Sequence, residues 1–192
     1  MATSVTPPPP APATTASAPL RRLYFVRFTF AAAWAALLFT TAHTLGPLAA
    51  TLLVIYPLFD MACAVADIRS ARADRGPLRG LYANVALSTL TTVGLIAAIT
   101  SGIPAVLRVW GAWAITAGLV QLLVGTLRRH MKGQWPMIAS GALSTLAGAS
   151  FIAQADKGDA TLGSLAGYAF LGGVFFLVSA LRLGRTRPAE RP

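Results

Sequence analysis

Residues 109–132 read VWGAWAITAGLVQLLVGTLRRHMK. From Val109 to Leu127 there is no charge, and then Arg128, Arg129 and Lys132 arrive together. A helix rising 1.5 Å per residue carries such a run across about 28 Å, close to the ~30 Å of hydrocarbon in a bilayer. A strand of a membrane barrel would need only ~10 residues of alternating polarity, and this run does not alternate. The stretch therefore reads as a transmembrane helix with a basic end.

The rest of the chain supports that reading. Of 192 residues 55% are hydrophobic and only 11% charged, with a mean hydropathy of +0.63. A soluble domain carries about 25% charged residues and could not hide this much apolar surface at this size. Five further spans flank the first: Phe28–Leu45, Leu48–Ala66, Leu81–Thr100, Gln134–Ala155 and Ala160–Leu181. The fold class expected is all-α, a polytopic membrane protein with six transmembrane helices over residues 23–183. A Pro/Ala/Thr-rich stretch, residues 1–22, is expected to be a disordered tail, since it has no apolar period. It lacks the charged start and small-residue cleavage site of a signal peptide. Residues 184–192 form a short basic tail.

Sixteen Lys and Arg against six acids give a net charge of +10. In a soluble protein that would point to nucleic acid; in a membrane protein it encodes orientation. Fourteen of the sixteen fall on one side: Arg21, Arg22 and Arg27, the connections 67–80 and 128–133, and the C-terminal flank. Only Arg108 and Lys157 fall on the other. The positive-inside rule then places both termini in the cytoplasm, in a plasma (inner) membrane, with no nucleic-acid partner expected. The partner implied is the lipid bilayer, and the basic loops would touch anionic headgroups. Trp110, Trp113 and Trp135, with Tyr24 and Tyr82, lie near span ends and read as an aromatic belt.

An internal repeat is visible. Ala86-Leu87-Ser88-Thr89-Leu90 recurs as Ala142-Leu143-Ser144-Thr145-Leu146, and Gly118, Leu127 and Arg128 align with Gly172, Leu181 and Arg182. The repeating unit is a two-helix hairpin, with three copies at about 26–67, 82–127 and 134–182. Two-span units keep their orientation, so the copies are parallel. Glycines mark close helix approach, which drives association in lipid: Gly111, Gly118 and Gly125 at seven-residue spacing, Gly141 and Gly148 likewise, and the G-x-x-x-G pair Gly163 and Gly167. Packing within one chain is the simpler reading and a homo-oligomer contact the alternative.

The run from Trp113 through Gly118, Gly125-Thr126-Leu127-Arg128 and Trp135 to Gly141, Leu143, Gly148 and Leu181-Arg182 resembles the HdeD acid-resistance membrane protein family, over about residues 26–185. The resemblance implies a six-helix inner-membrane protein with an acid-stress role in some members, and it supplies no catalytic residues. The chain departs from the family pattern at Tyr56-Pro57-Leu58-Phe59-Asp60.

Asp60 is the one ionisable residue well inside a span. An acid in lipid costs ~2.5–3.5 kcal/mol on insertion scales, so it should face the bundle. Tyr56, Asp60 and Asp67 share a helix face by their spacing, and Arg27 enters the first span at a depth from which it can reach Asp60. Asp60, Asp67, Arg27 and Tyr56 form the candidate intramembrane polar site. Two readings compete: a proton- or cation-responsive acid, and a structural pair with Arg27 or with an amide, Asn84 or Gln121. Pro57 should kink its helix. The single cysteine, Cys63, forms no intrachain disulfide. No metal cluster surrounds His43 or His130, and no phosphate-loop, metalloprotease, nucleophile-elbow or C-x-x-C motif occurs. No cofactor and no enzymatic activity are expected. The function expected is a non-enzymatic membrane protein of the HdeD type. A small proton or cation transporter or channel built on Asp60 is the alternative.

Overall fold

The computed structural model describes residues 17–73, 78–127, 129 and 135–185. Among them are six α-helices: α1 (Ser17–Thr40), α2 (Pro47–Ala73), α3 (Arg79–Ile99), α4 (Ile103–Leu127), α5 (Trp135–Ala155) and α6 (Gly163–Arg185). Each is long and apolar enough to cross a membrane, and no strand occurs among the described residues. Length and composition suggest a multi-pass membrane protein, whose apolar helices suit a lipid bilayer. In hydrocarbon every backbone N–H and C=O must be satisfied within its own segment, which the helix does. Hydroxyls are satisfied in the same way: Thr91, Thr92, Thr116 and Ser179 each donate to the carbonyl four residues earlier, at 2.8–2.9 Å.

Helix ends differ from the sequence reading in informative places. The helix α1 begins at Ser17, so residues 17–22 are helical where a structureless tail was expected. Pro19 sits in the first turn, where its missing N–H has no helical partner to lose. At the other end α6 runs to Arg185, taking 184–185 out of the expected tail; residues 1–16 and 186–192 lie outside the described residues. The helix α4 begins at Ile103, six residues before Val109. Gly102, at φ +90°, reverses the chain between α3 and α4, in a region of backbone space only glycine enters freely.

Backbones approach between consecutive helices and between α6 and α1, so the six form a closed ring. The closest pairs are α4–α5 and α1–α6, followed by α2–α3; α1–α2 and α5–α6 meet only sparsely. The tightest partners are thus joined across the basic connections or across the ring closure, not within the hairpins read from the sequence. All six helices send side chains inward, among them Trp34, Leu53, Leu95, Trp110, Phe151 and Leu165. At the end opposite the basic connections, the Leu162 N–H donates to the Ala42 carbonyl at 2.8 Å and ties the entry of α6 to the exit of α1.

Glycine explains the α4–α5 seam. A Cβ at Gly148 would lie 2.5 Å from the Gly111 carbonyl oxygen, and one at Gly118 would lie 2.6 Å from that of Gly141. A Cβ at Gly125 would meet Ile138 Cγ1 at 2.8 Å. Seven residues along α4 match seven back along α5, so the two backbones touch along their length. The expectation for Gly163 and Gly167 fails within the chain. A Cβ at Gly163 would sit 3.8 Å from Ala42, ordinary contact, and one at Gly167 meets nothing within 4 Å. The close approach on α6 belongs instead to Gly173, where a Cβ would lie 3.0 Å from Ala31 Cβ. At about 100° per residue, Gly167 lies roughly 120° around the helix from Gly173 and faces away from α1.

Candidate intramembrane polar site

Asp60 lies on α2 three residues beyond Pro57, and both of its oxygens are engaged. Arg27 of α1 donates from Nη2 to Oδ1 at 3.2 Å. Asn84 Nδ2 and Ser88 Oγ, both on α3, donate to Oδ2 at 2.9 Å each. The Arg27 guanidinium also lies over the Phe176 ring of α6, 4.8 Å from its centroid, a cation–π contact that strengthens where water is excluded. One carboxylate therefore gathers α1, α2 and α3 directly and α6 through Arg27. The side chains are largely withdrawn from solvent, Arg27 at 12% and Asp60 at 23% exposure, and Ser88 is fully buried. Asn84 and Ser88 share a face of α3 because they stand four residues apart.

The four residues expected at the site divide. Arg27 and Asp60 meet. Tyr56 turns its ring into an aromatic cluster with Phe30, Trp34, Trp110 and Trp113, at centroid distances of 5.7, 4.6, 5.5 and 6.1 Å. Asp67, half-buried, makes no ion pair or hydrogen bond to Arg27 among the described residues. Seven residues place it about 10 Å further toward the basic end. Of the two amides, Asn84 reaches the carboxylate and Gln121 does not; the Gln121 Oε1 is buried without a partner. Ser88 was not anticipated. Its four-residue spacing from Asn84 and its place in the repeated Ala-Leu-Ser-Thr-Leu were the available signals.

The aromatic cluster corrects a second expectation. Trp110 and Trp113 do not form a belt at the surface: Trp110 is fully buried, stacks on Trp34 at 5.4 Å and meets Trp113 edge-on at 5.3 Å. A span counted from Val109 puts them at its end; the six helical residues before it put them inside the ring. Trp135, 79% exposed, keeps a surface position. Trp34 Nε1 donates to the Leu52 carbonyl at 2.6 Å, one residue before the carbonyl left without its helical N–H by Pro57. Trp34→Phe keeps an aromatic ring there and removes that donor together with part of the buried ring volume. It is expected to cost about 1–2 kcal/mol, read as a lowered thermal midpoint in detergent.

The arrangement holds a charge in place and offers little for chemistry. Among the described residues no group of three His, Cys, Asp or Glu side chains could hold a metal ion. Cys63 is buried one turn from Asp60, and His43 is exposed; His130 lies outside the described residues. A groove of about 680 Å³ beside α1 does not include Asp60 in its walls. No family model, no curated protein and no solved structure matches this chain.

Proposed function

We propose that the chain is a non-enzymatic inner-membrane protein of the HdeD type with a role in acid or other stress, in which Asp60 is a structural anchor. The observation that supports the anchor is the engagement of both carboxylate oxygens by Arg27, Asn84 and Ser88. A transported proton or cation needs a group that is released and re-bound. Here both oxygens are tied to donors from two other helices, and the aromatic cluster around Tyr56 fills the ring one turn away. The stress role rests on the resemblance.

In this reading both termini and the basic connections face the cytoplasm, as the positive-inside rule directs. The helices derive from three duplicated hairpins. Support for the duplication comes from the recurring serine. Ser88 donates to Asp60 on α2, and Ser144, at the equivalent position of α5, accepts a 2.9 Å hydrogen bond from the Tyr168 hydroxyl on α6.

Proton flux into liposomes is the test, with acid survival of expressing cells as a second readout. The full chain is expected to leak no more than empty liposomes under a pH gradient, with Asp60→Asn indistinguishable from it in flux. Cells carrying the wild-type chain are expected to survive acid better than cells without it. A flux carried by the wild type and abolished in a folded Asp60→Asn chain would overturn the anchor reading in favour of a transporter.

A further inference from the structure

The face of α1 that turns away from α6 borders an open groove of about 680 Å³. It runs along the gap that the sparse α1–α2 contact leaves open. Its wall is made by Phe25 and Phe30 of α1 and by Phe59 of α2, which stacks on Phe30 at 3.7 Å. One end reaches Ala33, and the other passes Arg21 and Arg22 to Ala18 at the basic end of the ring. We propose that this groove is a binding site for one anionic phospholipid, with an acyl chain against the phenylalanines and the phosphate between the two arginines.

Three observations select this occupant. The first is charge. Arg21 and Arg22 are exposed, and neither belongs to an ion pair among the described residues. An anion seated there answers both unpaired guanidiniums. The second is length. From Arg22 to Ala33 is eleven residues of helix, about 16 Å, which matches the ~15 Å half-thickness of the hydrocarbon core. A headgroup at the arginines thus leaves its chain ending near Ala33, where one leaflet ends. The third is how the guanidinium is held. Arg21 lies 5.5 Å from the Phe25 centroid, and a Cβ at Gly184 would come within 3.0 Å of its Cζ. It is therefore held at the edge of the groove, between Phe25 and the end of α6. Anionic lipids are drawn to such basic clusters beside transmembrane helices.

The test uses the purified full chain in detergent, titrated with phosphatidylglycerol and with phosphatidylcholine, and native mass spectrometry to count retained lipid. One phosphatidylglycerol is expected to be retained in preference to phosphatidylcholine. Each arginine near an anionic headgroup is worth about fivefold in affinity, so Arg22→Gln should lower that retention about fivefold and Arg21→Gln with Arg22→Gln about thirtyfold. Ala33→Trp, at an exposed position, fills the far end of the groove and should also lower retention with the arginines intact. Arg79→Gln with Arg129→Gln removes equal charge from exposed positions outside the groove, and should leave the tight site unchanged. Equal retention of the two lipids overturns the proposal. So does equal loss from the Arg79/Arg129 pair, which would mean a diffuse charge effect. If Ala33→Trp has no effect, or inorganic phosphate displaces the lipid, the apolar wall is idle and the proposal falls. Every variant is checked for an unchanged thermal midpoint, and Arg22→Gln, the least packed change, carries the decision if Arg21→Gln disturbs folding.

Discussion

Gly148→Ala is expected to destabilise the helix ring by about 2–3 kcal/mol, and Gly148→Ile to leave no folded population in mild detergent. The added Cβ would stand 2.5 Å from the Gly111 carbonyl oxygen and 2.9 Å from the Ile115 nitrogen. Both are backbone atoms of α4 and cannot rotate aside, so the helices must part. Parting them also weakens the neighbouring contact, where the Gly118 and Gly141 backbones touch. In lipid that loss is not offset by a hydrophobic drive, because helix association there rests on close packing. The comparison that isolates the cause is Gly167→Ala. An added methyl there meets nothing within 4 Å, and alanine is the better helix former by up to about 1 kcal/mol. Its thermal midpoint, followed by circular dichroism or by size-exclusion of heated samples, should hold or rise while that of Gly148→Ala falls. Equal effects at the two positions would show that the α4–α5 contact is not what the glycines serve.

Asp60→Ala is expected to be the most damaging change among the polar residues, at about 3–5 kcal/mol. It leaves the Arg27 guanidinium over Phe176 without its counter-charge and strips Asn84 and Ser88 of their acceptor. Asp60→Asn keeps an oxygen for those two donors but turns an amide NH2 toward the Arg27 donor in place of the ion pair, so it should fall between Asp60→Ala and wild type. Arg27→Met combined with Asp60→Asn removes both charges and retains the α2–α3 bonds. It is expected to recover most of the loss, since replacing a whole buried pair is far cheaper than breaking one. Thermal midpoints of the three chains give the order directly. A double variant as unstable as Asp60→Ala would mean that the ion pair supplies something a neutral network cannot.

The six spans were legible because a bilayer imposes one length and one composition on every helix that crosses it. Their ends were less legible, because charge was taken as the boundary. Arg21, Arg22 and Arg27 all lie within α1, whose backbone bonds continue past the hydrocarbon edge without regard to side-chain charge. Asp60 announced itself by composition alone, and Arg27 and Asn84 followed from depth and from the scarcity of polar residues. Ser88 did not, since serine is common in such helices and its role depends on how α3 is rotated. The ring order was invisible for the same reason. Which face of each helix meets which neighbour is decided by close contacts such as Gly118 on Gly141 and Gly173 on Ala31. Gly167, identical in type and spacing to a packing glycine, looks outward.

The closure of α6 on α1 sets a clock on assembly. Asp60 follows Arg27 by 33 residues, so at ~5–20 residues per second the arginine waits only seconds for its counter-ion. Ala31 waits for Gly173, about 140 residues further on, which takes on the order of ten seconds or more at the same rate. Until then α1 lies in the membrane as an open edge, and the contacts Ala31 to Gly173 and Arg27 to Phe176 do not exist. A ribosome that stops before α6 releases an arc with one unfinished side, which makes the last helix the step at which a complete chain becomes distinguishable from a fragment.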